Sequence, residues 1–375
     1  MTAILVLGAG PAMLGPLAAL AQGPALIVGL AGGGVVDRNR RRPLLILADL
    51  IRAGVLITVP IAAWLHLLAL PHIFIAAALV GACSALFDMA NHAYLPGLIG
   101  TDRLLDGNSK TAATESVAEL GGPALAGFLF QWLSAPVAIA VNAVSYLASA
   151  AVIFTIDKPE PRPEPPPAEH WLSDVTSGFR TALAEPRIRP LLFMTIVNGL
   201  FGGIFSALYL VFALKTLHLS PALLGLTIAC GGIGAFAGAS LAEPLAKRLG
   251  VGPAILTAGF TTALAVALIP MAPANPVGGM AVLIASQLLG DSSGVVSYVL
   301  ISSFRQTVLP QEMLGRVGGA FQATLGGMII VGALAGGAIG AAFGVREGLM
   351  VAASGFVLIP LIGLASPLRH AREMA

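Results

Sequence analysis

Asp88 and Asp291 are the residues here best placed to do chemistry, because each carries an ionisable acid inside a long apolar run. Ser84, Asp88, Asn91 and His92 stand at offsets of 0, 4, 7 and 8, which places them on one face of a helix. Gln287, Asp291, Tyr298 and Ser302 do the same at 0, 4, 11 and 15. Asn198 and Tyr209 share a third stripe with Phe201 and Phe205. An apolar helix with one polar stripe turns that stripe toward protein or water. A low-dielectric cavity favours the protonated form of an acid, so such an acid can load and release a proton as its access alternates. The competing reading for Asp88 and Asp291 is structural, a carboxylate paired with a base or a helix end.

Glu115 and Glu119, four apart, also share a face and repel when both are charged, so one can hold a proton. The pair suits a proton site or recognition of a cationic substrate, against a plain solvated Glu115. Asp49 and Arg52, three apart, can pair with each other in a structural role.

The elements that hold these residues follow from composition. Of 375 residues, 57% are hydrophobic and 10% charged, with 20 Lys and Arg against 18 Asp and Glu. A soluble domain is about 25% charged, so a soluble enzyme, a disordered chain and a coiled coil are excluded. The near-neutral charge argues against a nucleic-acid partner. The partner implied instead is the lipid bilayer. Charge-free gaps of about 20 residues each predict eleven spans, near 14–36, 44–69, 73–96, 109–133, 136–156, 190–213, 222–242, 252–271, 279–303, 317–342 and 348–366. Pro270, Pro273, Asn275, Pro276 and Gly278 mark one of the turns between them.

Seventeen of the 20 Lys and Arg fall in alternate loops, which assigns those loops and the C-terminal tail to the cytoplasm. An odd span count then puts Met1 outside. The fifth and sixth spans flank a Pro-rich linker whose segment around Trp171, Val175, Phe179 and Leu183 reads as an amphipathic helix on the membrane surface. The organisation expected is an N-terminal half over 1–156, a cytoplasmic linker over 157–189 and a C-terminal half over 190–375.

No P-loop lysine motif is present, and Gly231-Gly232-Ile233-Gly234 lies inside a span rather than after a strand, so neither ATP nor a dinucleotide cofactor is implied. Cys83 and Cys230 and the six histidines form no metal-ligand spacing, and no nucleophile with an ordered base is visible, so no metal site and no enzyme are expected.

Gly33-Gly34-Val35-Val36-Asp37-Arg38-Asn39-Arg40-Arg41-Arg42 resembles the signature G-x-x-x-D-R-x-G-R-R of the major facilitator superfamily, with Arg40 where the pattern has Gly. That variant is similar to the bacterial branch of enterobactin-exporter-like drug exporters. Further matches are Phe87-Asp88, Tyr94-Leu95-Pro96-Gly97-Leu98, Asn108-Ser109-Lys110, and Ser303-Phe304-Arg305-Gln306 followed by Leu314-Gly315-Arg316-Val317. The resemblance implies an all-α, two-lobed bundle. It also implies that residues 1–13 are the end of the family's first helix, lost to a late start or a truncation, so that the first span here is the family's second.

On that resemblance Asp88, Asn198 and Asp291 fall on cavity-lining helices. Gly33, Asp37, Arg38, Arg41, Arg42 and Arg316 form a cytoplasmic gate, with Asp37 set against Arg316. Gly122, Pro123 and Gly127 resemble part of an antiporter signature, in which small residues allow close approach and Pro123 kinks the helix. The function implied is a secondary active transporter, monomeric, with protons and a small amphipathic molecule as partners. An importer or uniporter, or an inactive truncated protein, is the alternative.

Overall fold

A computed structural model describes residues 2–31, 33–99, 104–158, 160 and 171–371. Its secondary structure is helical throughout, with no strand among the described residues. The elements are α1 Thr2–Leu5, α2 Pro11–Ala31, α3 Gly33–Arg38, α4 Arg41–Trp64, α5 Leu70–Ile99, α6 Leu104–Leu133, α7 Ala135–Phe154, α8 Trp171–Ala184, α9 Arg189–Val211, α10 Pro221–Leu249, α11 Val251–Leu268, α12 Pro276–Val308, α13 Gln311–Ala342, α14 Val345–Phe356 and α15 Leu358–Leu364. Among the described residues ten stretches are long and apolar enough to cross a membrane, one fewer than the eleven expected; in the remaining expected span the apolar helix Leu120–Leu133 is shorter than that length. The surface fits that reading. Trp64, Trp132, Phe154, Phe236 and Phe343 are all well exposed, as a solvent of acyl chains permits and water does not.

Turn chemistry sets the breaks. Ser220 caps α10 by accepting from the Leu223 amide at 3.3 Å, with Pro221 at the first helical position. Asn275 caps α12 by accepting from Gly278 N at 2.7 Å, ahead of Pro276. Gly250 (φ 89°) and Gly344 (φ 111°) turn the chain into α11 and α14 through backbone conformations closed to most L-residues.

The chain divides into two compact units. One comprises residues 1–9, 17–118 and 129–171, and α4 packs on both α5 and α7 there. The other comprises residues 10–16, 119–128 and 172–375, with α9 on α13, α10 on α12, and α11 on α12 as its main pairings. In this second unit the α10–α12 seam is closed by glycine. A Cβ at Gly234 would sit 2.6 Å from the Leu288 carbonyl oxygen, and one at Gly238 would lie 2.9 Å from the Ser292 Cα. The helices approach to backbone contact because nothing projects between them.

The amphipathic α8 departs from the sequence expectation of a helix lying on lipid. Gly178 is pressed against the Arg316 backbone, and Ala182 is fully buried in a cluster with Ile188, Leu191 and Phe321. Gly178 and Ala182 face the protein together with the partly buried Phe179, while Leu183 is exposed. The Pro-rich stretch 161–170 lies outside the described residues.

Candidate functional site

The second unit holds a partly open cavity of about 300 Å³ lined by α9, α11, α12, α13 and α15. Thr195, Asn198, Thr262, Tyr298, Arg305 and Gln322 supply its polar wall, and Met194, Phe321, Leu325 and Ile359 its apolar one. Asn198 and Tyr298 are among its lining residues. Thr262 is held at 2.8 Å from the Ser293 hydroxyl and also bonds the Ala258 carbonyl at 3.0 Å, so its side chain is fixed by α11 and α12 together. From the sequence, Arg305 falls in a family match and counts as a loop charge, not as a cavity residue. It instead sits half-buried in the last turns of α12, stacked 4.5 Å from the Phe321 ring centre and donating to Ser302 Oγ at 3.4 Å.

The rest of the α12 stripe goes elsewhere. Asp291 and Gln287 turn toward Gly231 of α10, where any Cβ would run into the Asp291 carboxylate. Asp291 is thus half-buried in the α10–α12 seam, outside the residues that line the cavity. Tyr209 is also outside them. It is buried, its ring 5.1 Å from Phe205, and its hydroxyl has no hydrogen-bond partner among the described residues.

In the first unit the acids fall differently. Asp88 and His92 are exposed on α5, while Ser84 and Asn91 are half-buried. Glu115 is exposed on α6; Glu119 falls in the second unit, and its side chain lies outside the described residues. The buried charge here is the Asp49–Arg52 pair of α4. Arg52 also donates from Nη1 to Ser84 Oγ at 3.3 Å, and its guanidinium lies between Phe87 at 4.4 Å and Tyr146 at 4.3 Å. One arginine therefore ties α4 to α5 and α7. Asp49 and Arg52 pair with each other as their spacing implies. Phe87 and Tyr146 were missed as its partners, since they come from distant stretches.

The basic loop closes one end of the same unit. The amides of Arg41 and Arg42 donate to the two carboxylate oxygens of Glu160 at 2.7 and 3.0 Å, so the acid caps the positive end of α4. Arg41 Nη1 stands 3.9 Å from the same carboxylate. Arg42 reaches the other way, donating from Nε to the Ile153 carbonyl at 3.2 Å and from Nη2 to that of Phe154 at 2.6 Å, which satisfies the last turn of α7. Lys158 does the same for α5 through the Leu98 carbonyl at 2.7 Å. Arg38 and Arg316 are exposed. The side chain of Asp37, and the surroundings of Gly33, lie outside the described residues.

Pro123 lies inside α6, with Gly122 in open space beside it. Gly127 is buried, and a Cβ there would stand 3.1 Å from the Cα of Gly225 on α10. Both glycines belong to the second unit, and the close approach that the small residues imply falls there.

Comparison with known proteins agrees with this architecture. The family profile described as "Transmembrane secretion effector" matches residues 3–375. The enterobactin exporter EntS of Citrobacter koseri is 28% identical over 355 residues, which covers 91% of this chain and 80% of that protein. EntS of Shigella dysenteriae is 28% identical over 379 residues, covering 94% and 83%. Among solved structures, nucleoside transporter NupG superposes with a TM-score of 0.78 at 13% identity, covering 97% of this chain and 92% of its own. A bacterial homologue of the iron transporter ferroportin in an inward-facing state gives 0.75 at 15%, again covering 97% and 92%. These two likenesses bear on fold alone. The chain is a multi-pass membrane transporter, and it belongs to the transmembrane secretion effector family of the major facilitator superfamily.

Proposed function

We propose that this transporter exports a small amphipathic molecule in exchange for protons, by alternating access across a bacterial inner membrane, with its C-terminus in the cytoplasm. The observation that carries the reading is a cavity with both polar and apolar lining, in a chain with many exposed large apolar side chains that is similar along nearly its whole length to enterobactin exporters. The division of labour proposed is an N-terminal half over 1–156, a linker over 157–189 and a C-terminal half over 190–375.

Asp88 and Asp291 are the coupling acids in this reading, with Glu115 and Glu119 as further proton sites. Asp88 is open on its helix face and Asp291 is held in a helix seam, so the two would meet protons by different routes. A carboxylate that takes a proton on one side of the membrane loses its charge, and the neutral form crosses a low-dielectric region at far smaller cost. Asp37 and Arg316 are proposed as parts of the cytoplasmic gate, and Asn198 and Tyr298 as substrate contacts. The protein is proposed to work as a monomer.

Inverted vesicles carrying the full chain test this. Amphipathic dyes and aromatic acids are offered with and without a proton gradient. Proton-dependent accumulation that Asp88→Asn or Asp291→Asn abolishes is the expected result. Transport that a protonophore leaves untouched would instead establish a uniporter.

A further inference from the structure

The cavity of the second unit has one strongly basic group and no acid among its lining residues. Arg305 lies within a stretch apolar enough to span a membrane, and among the described residues no carboxylate pairs with it. The Phe321 ring and the Ser302 hydroxyl hold the guanidinium in place without neutralising it. A cation in a low-dielectric wall calls for an anion. A planar guanidinium with five donors, of which Ser302 engages one end, still presents a fork that matches a carboxylate, sulfonate or phosphate.

The rest of the wall says what else that anion carries. The Tyr298 ring is 69% exposed seven residues before Arg305, on the same face of α12. Leu325, Met194 and Ile359 add apolar lining to the same cavity. The volume suits a single ring system with a short acidic arm.

We propose that this cavity is a recognition subsite for an aromatic anion, either a whole aromatic acid or the acidic arm of a larger substrate, with Arg305 binding the acid and Tyr298 the ring. The proposal names a substrate class for the transporter described above and rests on that reading. It also separates Arg305 from the other cytoplasmic-side arginines. A charge that only oriented the chain in the membrane would have no preference for a ligand.

The test uses the purified full-length chain in detergent and calorimetric titration with 2-naphthoate and its neutral counterpart 2-naphthamide. The wild type is expected to bind the acid about 10- to 100-fold more tightly than the amide, the range of a charged hydrogen-bonded contact. Arg305→Gln loses the preference and still binds the amide. Arg305→Lys keeps the charge without the fork and falls between. Tyr298→Ala weakens both ligands to the same extent, and Arg248→Gln, at an exposed helix end, changes neither. If Arg305→Gln does not fold, Arg305→Lys and Tyr298→Ala still decide the matter. A wild type that binds acid and amide equally, or an acid preference that survives both Arg305 variants unchanged, overturns the proposal. Failure of the exporter reading looks different: the Arg305-dependent acid preference would persist while vesicles carrying the wild type move no compound of any class.

Discussion

Arg52 holds three helices of the first unit together, and the strength of that tie can be measured one ring at a time. Phe87→Leu removes the aromatic face 4.4 Å from the guanidinium while leaving an apolar side chain of similar reach. A cation–π contact is worth about 0.5 kcal/mol when exposed and about 2 kcal/mol when desolvated. Arg52 is 5% exposed and Asp49 is fully buried, so the upper part of that range applies. The same substitution in an Asp49→Leu/Arg52→Met background loses packing only. The difference between the two backgrounds is therefore expected at about 1–2 kcal/mol, and about the same for Tyr146→Leu, whose ring is 4.3 Å away.

The background must remove both charges. Asp49→Leu alone strands a buried guanidinium, at a cost of about 3–5 kcal/mol in a protein interior, and would hide the smaller effect. The pair lies on one helix three residues apart, so it survives the separation of helices. What unfolding breaks is the contact across helices, and the cycle isolates that contact. Equilibrium unfolding of the full chain by SDS in mixed micelles supplies the free energies. Equal losses from Phe87→Leu in both backgrounds would show that Arg52 is merely enclosed by its rings and not bound by them.

Three other perturbations have definite expected outcomes. Gly238→Ala forces a Cβ into the Ser292 backbone and is expected to cost about 1–3 kcal/mol in the same unfolding assay, whereas Gly54→Ala, with open space around it, costs nothing; similar losses at both sites would refute the close seam. Arg42→Gln removes the charged donors from the Ile153 and Phe154 carbonyls, worth about 1.5–3 kcal/mol locally, so amides of residues 150–155 should exchange hydrogen at least tenfold faster with the rest of α7 unchanged. Gly178→Leu is expected to lift α8 from the Arg316 backbone without disturbing the spans, which limited proteolysis between residues 171 and 188 would register as faster cutting.

The spans were legible because lipid imposes a length and a composition on every crossing helix, and 38 charges in 375 residues leave the gaps visible. The break before α12 was legible for a local reason: Asn275 and Pro276 carry cap and first-turn chemistry in their own side chains. The Asp49–Arg52 pair was readable because its partners share one helix. The sequence does not reveal what depends on chain segments meeting. Glu160 lies 118 residues from the Arg42 amide it accepts from, and Tyr146 lies 94 from Arg52, with no periodicity to link either pair. Of the α8 docking face, Phe179 was readable from its spacing, whereas Gly178 and Ala182 carry little apolar signal although they permit the closest approach.

Arg305 was hidden for a more instructive reason. It stands 3 residues after Ser302 and 7 after Tyr298, so it completes the very stripe that singled out Gln287 and Asp291. Counting basic residues to orient a membrane protein treats each one as a loop charge, and Arg305, near the end of its span, was assigned by that count. The rule is indifferent to whether the side chain points to water, lipid or a cavity, because only the sum enters it. The stripe was thus cut short before its basic residue, the group in it able to bind an anion. The one acid that the stripe did include, Asp291, faces a helix seam instead. Within one helix, then, the polar face divides by depth: its first part packs against the glycines of α10, and its last part opens on the cavity. A helical stripe locates the face, and the neighbouring helices decide what each residue on it can do.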